Sequence, residues 1–123
     1  MTIIEAIHAI DSIKPNGYSQ SDKVRWLSML DGLVKAEIID THEGAEGVVF
    51  NGYDDNTPLD TVLLIPAPYD NVYVLWLQAQ IDYANEETAK YKNSSSAYNH
   101  AYNEFQRYYN RTHMPCSQPR KYF

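Results

Sequence analysis

Residues 40–68 divide the chain, because glycine and proline interrupt every helical pattern within them. Glycine lacks the side chain that restricts its backbone, and proline lacks the amide proton that a helix interior needs. The flanking segments, 1–39 and 69–115, instead carry apolar residues at the three- and four-residue steps of a helix. The interrupting residues are Gly44, Gly47, Gly52, Pro58, Pro66 and Pro68. The sequence therefore predicts a helical protein with a long irregular arm.

Two helices are predicted before the arm. The first spans 3–13, where isoleucines recur at helical spacing, and the Pro-Asn-Gly turn at 15–17 ends it. The second begins at a serine N-cap, either Ser19 or Ser21, and runs to about Ile39.

Two more helices are predicted after the arm. Helix three starts at Tyr69 or Asp70 and continues to about Lys92, and a turn with a fresh cap follows at 93–96. Helix four then runs to His113, before Met114-Pro115. A short link between two helices predicts that they form an antiparallel hairpin.

The predicted fold class is all-α, or nearly so, with four helices in one protomer. The arm has two short apolar runs, 48–50 and 62–65, which are compatible with two short strands of a small β-hairpin. A length of 123 residues suits one domain. We expect this domain to span 1–115 and a flexible C-terminal tail to span 116–123.

Tyrosine is concentrated on the two C-terminal helices, since eight of the eleven tyrosines lie between residues 69 and 109. A tyrosine ring is apolar but its hydroxyl needs a partner, so dense tyrosine is typical of half-buried surfaces and interface cores. A stripe at helical spacing is equally typical of ordinary packing within one chain. Tyr91, Tyr108 and Tyr109 flank the stripe or lie near its polar end, and we expect them at a subunit or partner interface.

Charge is unevenly distributed along a chain whose net charge is -6. Residues 1–68 hold eleven acids and four bases, whereas residues 69–123 hold five acids and six bases. Binding to a nucleic-acid backbone needs clustered basic residues, so specific DNA binding is not predicted. The acidic arm and the basic tail are instead candidate contacts with a neighbouring subunit or partner. Their candidate residues are Asp54, Asp55, Asp60, Arg120 and Lys121.

No residue pattern predicts catalysis or metal binding. The acidic turn at 54–60 lacks the glycine and the glutamate that a calcium loop requires. The four histidines are scattered and do not have zinc-ligand spacing. Cys116 lacks the base that would activate a thiol, and a single free cysteine fits a reducing compartment. We therefore expect neither an enzyme nor a cofactor, and the sequence has no apolar run long enough for a membrane span.

The order of several strings resembles small phage and prophage proteins of Gram-positive bacteria. In helix order the chain is similar to the head–tail connector, or head-completion, proteins of long-tailed phages. The resemblance is best over 57–115 and looser over 1–40. The strings are Thr57-Pro58-Leu59-Asp60-Thr61, Leu63-Leu64-Ile65-Pro66, Pro68-Tyr69-Asp70-Asn71-Val72-Tyr73, Gln80-Ile81-Asp82-Tyr83, Ala101-Tyr102 and Tyr108-Tyr109-Asn110-Arg111-Thr112-His113-Met114-Pro115.

This resemblance implies a structural protein of the virion neck, made in the cytoplasm of the bacterial host. Such proteins assemble as a ring, commonly of twelve copies, between the portal and the next neck or tail-completion component, and DNA passes through without specific binding. A closed ring of identical subunits requires two unlike patches on each chain. The alternative is a phage-encoded small helical module that binds or regulates a host protein.

Overall fold

The computed structural model describes residues 1–116 and confirms the all-α class. Two short 3₁₀ turns, Ile39–Thr41 and Ala45–Gly47, lie in the arm. No β-strand occurs among these residues. The four helices are α1 (Ile3–Ile13), α2 (Gln20–Glu37), α3 (Asn71–Ala84) and α4 (Thr88–Thr112).

Side-chain caps define the starts of α1 and α2. Ser19 Oγ accepts a hydrogen bond of 3.1 Å from the Asp22 amide, which confirms the predicted serine cap of α2. At α1, Thr2 and Glu5 form a reciprocal capping box, which is not among the predicted caps. Backbone and side-chain hydrogen bonds from Thr2 hold the pKa of Glu5 below its ordinary value.

The predicted turn at 93–96 is wrong, because these residues lie inside α4. The link between α3 and α4 consists of residues 85–87, where Glu86 adopts a left-handed backbone with φ 60°. Ser94 and Ser95 do not cap a helix. The Ser95 hydroxyl donates to Lys92 O at 3.3 Å, and the Ser94 hydroxyl shares its proton between Lys90 O at 3.0 Å and the Asp82 carboxylate at 2.8 Å. Serine hydroxyls bonded in this way are compatible with a helix interior.

Helix α3 is the centre of the protein and packs against α1, α2 and α4. Buried residues point in nearly every direction around it, as its apolar sequence predicts. Asp82 of α3 meets Ser94 near the link, and Trp76 meets Tyr98 further along, so α3 and α4 run antiparallel. The fully buried side chains of α3 are Val72, Tyr73, Leu77 and Ile81.

The arm pairs with the N-terminus of α1 and not with itself. The Ile3 amide donates to Thr61 O and the Leu63 amide donates to Met1 O, at 3.0 and 2.9 Å. Val62 therefore forms an isolated antiparallel bridge with Thr2, and no β-hairpin joins the two apolar runs. The arm also contributes Leu63 and Ile65 to the core.

The chain after α4 returns to the beginning of the arm. The Glu43 amide donates to Met114 O at 2.8 Å, and the Cys116 amide donates to Thr41 O at 2.9 Å. Pro115 also forms an isolated bridge with His42. The end of the predicted domain is thus held against the arm, and the predicted tail lies outside the described residues apart from Cys116.

Candidate assembly surface

Three aromatic pairs connect α3 and α4 at seven-residue intervals, and we call them the aromatic ladder. Seven residues correspond to two helical turns, or about 10.5 Å, so successive pairs lie on the same side of both helices. Each pair joins one residue before or within α3 to one within α4. The pairs are Tyr69 with Phe105, Trp76 with Tyr98, and Tyr83 with Tyr91, with ring centroids 6.0, 5.0 and 5.4 Å apart.

Exposure of the ladder increases toward the α3–α4 link. Phe105 is buried, and the rings of Trp76 and Tyr98 are half-buried. At the link, Tyr83 is 68% exposed. Tyr91, which the sequence predicted at an interface, is half-buried against Tyr83. The last pair of the ladder is therefore the one that the protomer leaves available to another molecule.

The middle of the ladder also contacts α2. Trp76 Nε1 donates a hydrogen bond of 2.7 Å to Trp26 O. Tyr102, whose ring lies 5.8 Å from that of Tyr98, donates a hydrogen bond of 2.9 Å from its hydroxyl to Glu37 of α2. Burial raises the pKa of Tyr98 to about 12, with a further contribution from the Glu37 carboxylate. Burial and the hydrogen bond to Glu37 also raise the pKa of Tyr102, so its hydroxyl remains a donor at neutral pH.

Helix α2 also carries two exposed apolar side chains. Met29 is 51% exposed and Leu33 is 40% exposed. They are four residues apart, so they share one face of the helix. Leu33 lies seven residues after Trp26 and four before Glu37, on the stripe of α2 that meets the ladder. Met29 and Leu33 place exposed apolar side chains on the outside of α2, and we call these two residues the α2 face.

Tyr108 and Tyr109, also predicted at an interface, pack largely within the protomer. Tyr108 lies 4.7 Å from the ring of Tyr69. Tyr109 stacks on His113 with centroids 3.8 Å apart and planes 3° apart, and its edge contacts His42 at 4.9 Å. Both tyrosines are half-buried. They lie 17 residues or more from Tyr91 on one helix, about 26 Å, so the three predicted tyrosines do not form one site.

A groove of about 600 Å³ opens at the exposed end of the ladder. Its lining includes Tyr83, Tyr91 and three acidic residues, and we call it the link groove. Its full lining is Asp82, Tyr83, Ala84, Glu86, Glu87, Thr88 and Tyr91.

Two of the three carboxylates in the link groove are neutralised by lysines of the same chain. Lys14 pairs with Asp82 and lies 3.3 Å from Glu87, and Lys90 lies 2.8 Å from Glu87. Hydrogen bonds from Lys90, Asn85 and Lys14 lower the pKa of Glu87 to about 2. Glu86 is exposed and takes part in no ion pair within residues 1–116. It is therefore the groove carboxylate that remains available to a partner.

The predicted acidic residues of the arm are on the surface but do not converge. Asp54 is engaged in a local turn, where its carboxylate accepts from the Asn56 amide at 2.8 Å and its amide donates to Thr57 Oγ1. Asp55 and Asp60 are exposed. The predicted Arg120 and Lys121 lie outside the described residues.

Within residues 1–116, no three His, Cys, Asp or Glu side chains come together as a metal site would require. In the same part of the chain, no helix combines the length and hydropathy needed to cross a membrane. No protein-family model, curated protein or solved structure matched the chain.

Proposed function

We propose that the protein is a structural subunit of the neck of a tailed phage, a head–tail connector that assembles as a ring on the portal. The observation that carries this proposal is the aromatic ladder, because Tyr83 in its last pair is largely exposed in the protomer. Large aromatic side chains at the surface are typical of interface cores, and Tyr83 is 68% exposed. The resemblance of residues 57–115 to phage proteins is the reason for proposing a connector ring as the assembly.

The α2 face supports the same proposal. Met29 and Leu33 expose apolar side chains on one face of α2, and exposed apolar area of this kind is typical of interaction sites. A ring contact is heterologous, so one subunit presents a face and its neighbour presents a different one. The link groove and the α2 face are two regions from which such contacts are built.

Association with a portal protein from the genome that encodes this chain tests the proposal. Wild-type protein mixed with that portal is expected to form a ring complex, visible by native mass spectrometry and negative-stain electron microscopy. A Met29→Glu, Leu33→Glu double variant places charge on the α2 face and is expected to lose the complex. Val49→Glu is the matched control, because Val49 is 77% exposed but lies in the arm.

The outcome also separates the proposal from its alternative. A wild-type protein that stays monomeric with the portal, and that is missing from purified virions, would favour a regulatory module that binds a host protein. Equal loss of the complex in the double variant and in the Val49→Glu control would show that the α2 face has no special part in assembly.

A further inference from the structure

We infer that the link groove receives the Arg120-Lys121 segment of a second copy of this chain. This inference rests on the proposed ring assembly and names the contact that joins neighbouring subunits. The groove combines aromatic faces with a free carboxylate, which is the chemistry that recognises a guanidinium or ammonium group.

The groove offers two kinds of contact to a basic side chain. The rings of Tyr83 and Tyr91 lie 5.4 Å apart and are tilted by 56°, and Tyr83 is largely exposed. A cation above a tyrosine face is attracted by the ring. Glu86 provides the opposite charge, since Asp82 and Glu87 are already paired with lysines.

The Arg120-Lys121 segment is chosen as the occupant because most other basic residues of the chain are already paired with acids. Arg120 and Lys121 are the only adjacent basic residues in the sequence, and Tyr122 and Phe123 follow them. Six of the eight basic residues in 1–116 already form ion pairs with acids of the protomer. A neighbouring copy thus supplies both the charge and the aromatic rings that the groove can accept.

The tail is too short to reach the link groove of its own protomer. Cys116 is held at Thr41, and the adjacent His42 bonds Asn110 at 2.8 Å, so the tail starts beside the last turns of α4. Tyr91 lies 19 residues before Asn110, about 28 Å along the helix. Fully extended, the chain covers about 14 Å from Cys116 to Arg120. An Arg120 that binds this groove therefore comes from another copy.

The competing destination for the tail is the arm of its own protomer. Glu43 and Glu46 are exposed carboxylates in the arm, and the Glu43 amide bonds Met114 O, close to where the tail starts. These two acids make a matched control, because they carry free charge within reach of the tail but lie outside the link groove.

Cross-linking between isotopically labelled copies tests the inference. Full-length protein carries the photoreactive residue p-benzoylphenylalanine in place of Phe123, and is mixed with ¹⁵N-labelled wild-type protein and the portal before irradiation. The expected products join the tail of the unlabelled copy to residues 83–91 of the labelled copy. Tyr83→Ser with Glu86→Gln in the labelled copy should reduce their yield at least tenfold, and Glu43→Gln with Glu46→Gln should change it less than twofold.

A charge exchange provides a second measurement that does not depend on cross-linking. Glu86→Lys alone should prevent ring formation, and adding Arg120→Glu with Lys121→Glu in the same chain should restore it. Rings of wild-type protein whose cross-links remain within one copy, or end in the arm, would overturn this inference and leave the connector proposal standing. A wild-type protein that forms no ring with the portal would overturn both.

Discussion

The hydroxyl of Tyr73 donates a hydrogen bond of 2.6 Å to Oδ1 of Asp31, and both side chains are completely buried. The same hydroxyl accepts a hydrogen bond of 2.7 Å from the Ile65 amide. The other oxygen of Asp31 accepts from the Tyr53 hydroxyl at 2.6 Å and from the Leu64 amide at 3.1 Å. The carboxyl group of Asp31 in α2 is therefore hydrogen-bonded both to α3 and to two separate positions of the arm, Tyr53 and Leu64.

Tyr73→Phe should lower the free energy of unfolding by about 2–4 kcal/mol, because it leaves the Ile65 amide without a partner and removes one donor from buried Asp31. Urea denaturation at neutral pH measures the change. Tyr53→Phe is the control, since Tyr53 is only half-buried and its hydroxyl holds no backbone amide. Its expected cost is about 1 kcal/mol. Equal losses in the two variants would contradict a special role for Tyr73.

Asp31 should give the protein a distinctive dependence on pH. Burial raises the pKa of Asp31 above its ordinary value of 3.8, although hydrogen bonds from Tyr53, Tyr73 and Leu64 act in the opposite direction. The folded state thus binds this proton more readily than the unfolded state. The stabilisation linked to Asp31 is complete below about pH 3.8 and is lost as pH rises through the folded pKa.

Asp31→Asn removes this linkage, so the comparison with wild type isolates it from all other groups. The free energy of unfolding of wild type, minus that of the variant, should fall as pH rises from about 3.8 and become constant above the folded pKa. Urea denaturation at a series of pH values gives both curves. A difference that increases with pH would mean that the hydrogen bonds outweigh burial.

Breaking the ion pair between Lys14 and Asp82 should be costly. Asp82 is 1% exposed and also accepts a hydrogen bond of 2.8 Å from Ser94, and the hydrogen bond to Asp82 raises the pKa of Lys14. Lys14→Met leaves a buried carboxylate without its cation, with an expected loss of about 3–5 kcal/mol. Thermal and urea unfolding measure it.

The control for Lys14 is a pair at the surface. Arg107 and Glu104 are three residues apart on α4 and both are well exposed, so Arg107→Met should cost no more than about 1 kcal/mol. A Lys14→Met loss as small as this would show that Asp82 is stabilised mainly by Ser94 or by water.

The helices themselves could be predicted from local patterns, and the link between α3 and α4 could not. Asn93 and the serines after it are typical of a turn, but Ser94 meets a buried Asp82 that lies twelve residues away. That contact is tertiary, and no local pattern shows it. The true link depends on the left-handed Glu86, a conformation that is uncommon for glutamate.

The candidate surface was only partly predictable for a related reason. The sequence predicts Tyr91 at an interface because it lies near the polar end of its helix. The sequence around Tyr83, its more exposed partner, does not distinguish it from a buried tyrosine. Tyr83 lies opposite Tyr91 only when the link between α3 and α4 is at 85–87. The predicted turn at 93–96 puts both tyrosines on one helix, so the pair could not be predicted.

Glu86→Gly should stabilise the isolated protein. A left-handed backbone costs a residue with a side chain about 1–2 kcal/mol, and glycine adopts it freely. Glycine loses about 0.5–1 kcal/mol more conformational entropy on folding, so the net gain expected in the free energy of unfolding is about 0.5–1 kcal/mol. Glu86→Gln preserves the strain and should be neutral, which makes it the matched control. Urea denaturation of the two variants measures the difference.

Gly52→Ala provides the reverse test of the same principle. Gly52 has φ 89°, a left-handed backbone that is unfavourable for a residue with a side chain, so alanine should lower the free energy of unfolding by about 1–2 kcal/mol. If Glu86→Gly destabilised the protein while Gly52→Ala behaved as expected, the link would be held by a contact of the Glu86 side chain and not by its neighbours. Stabilisation by Glu86→Gly, together with loss of ring assembly, would instead show that a strained glutamate is retained for its carboxylate.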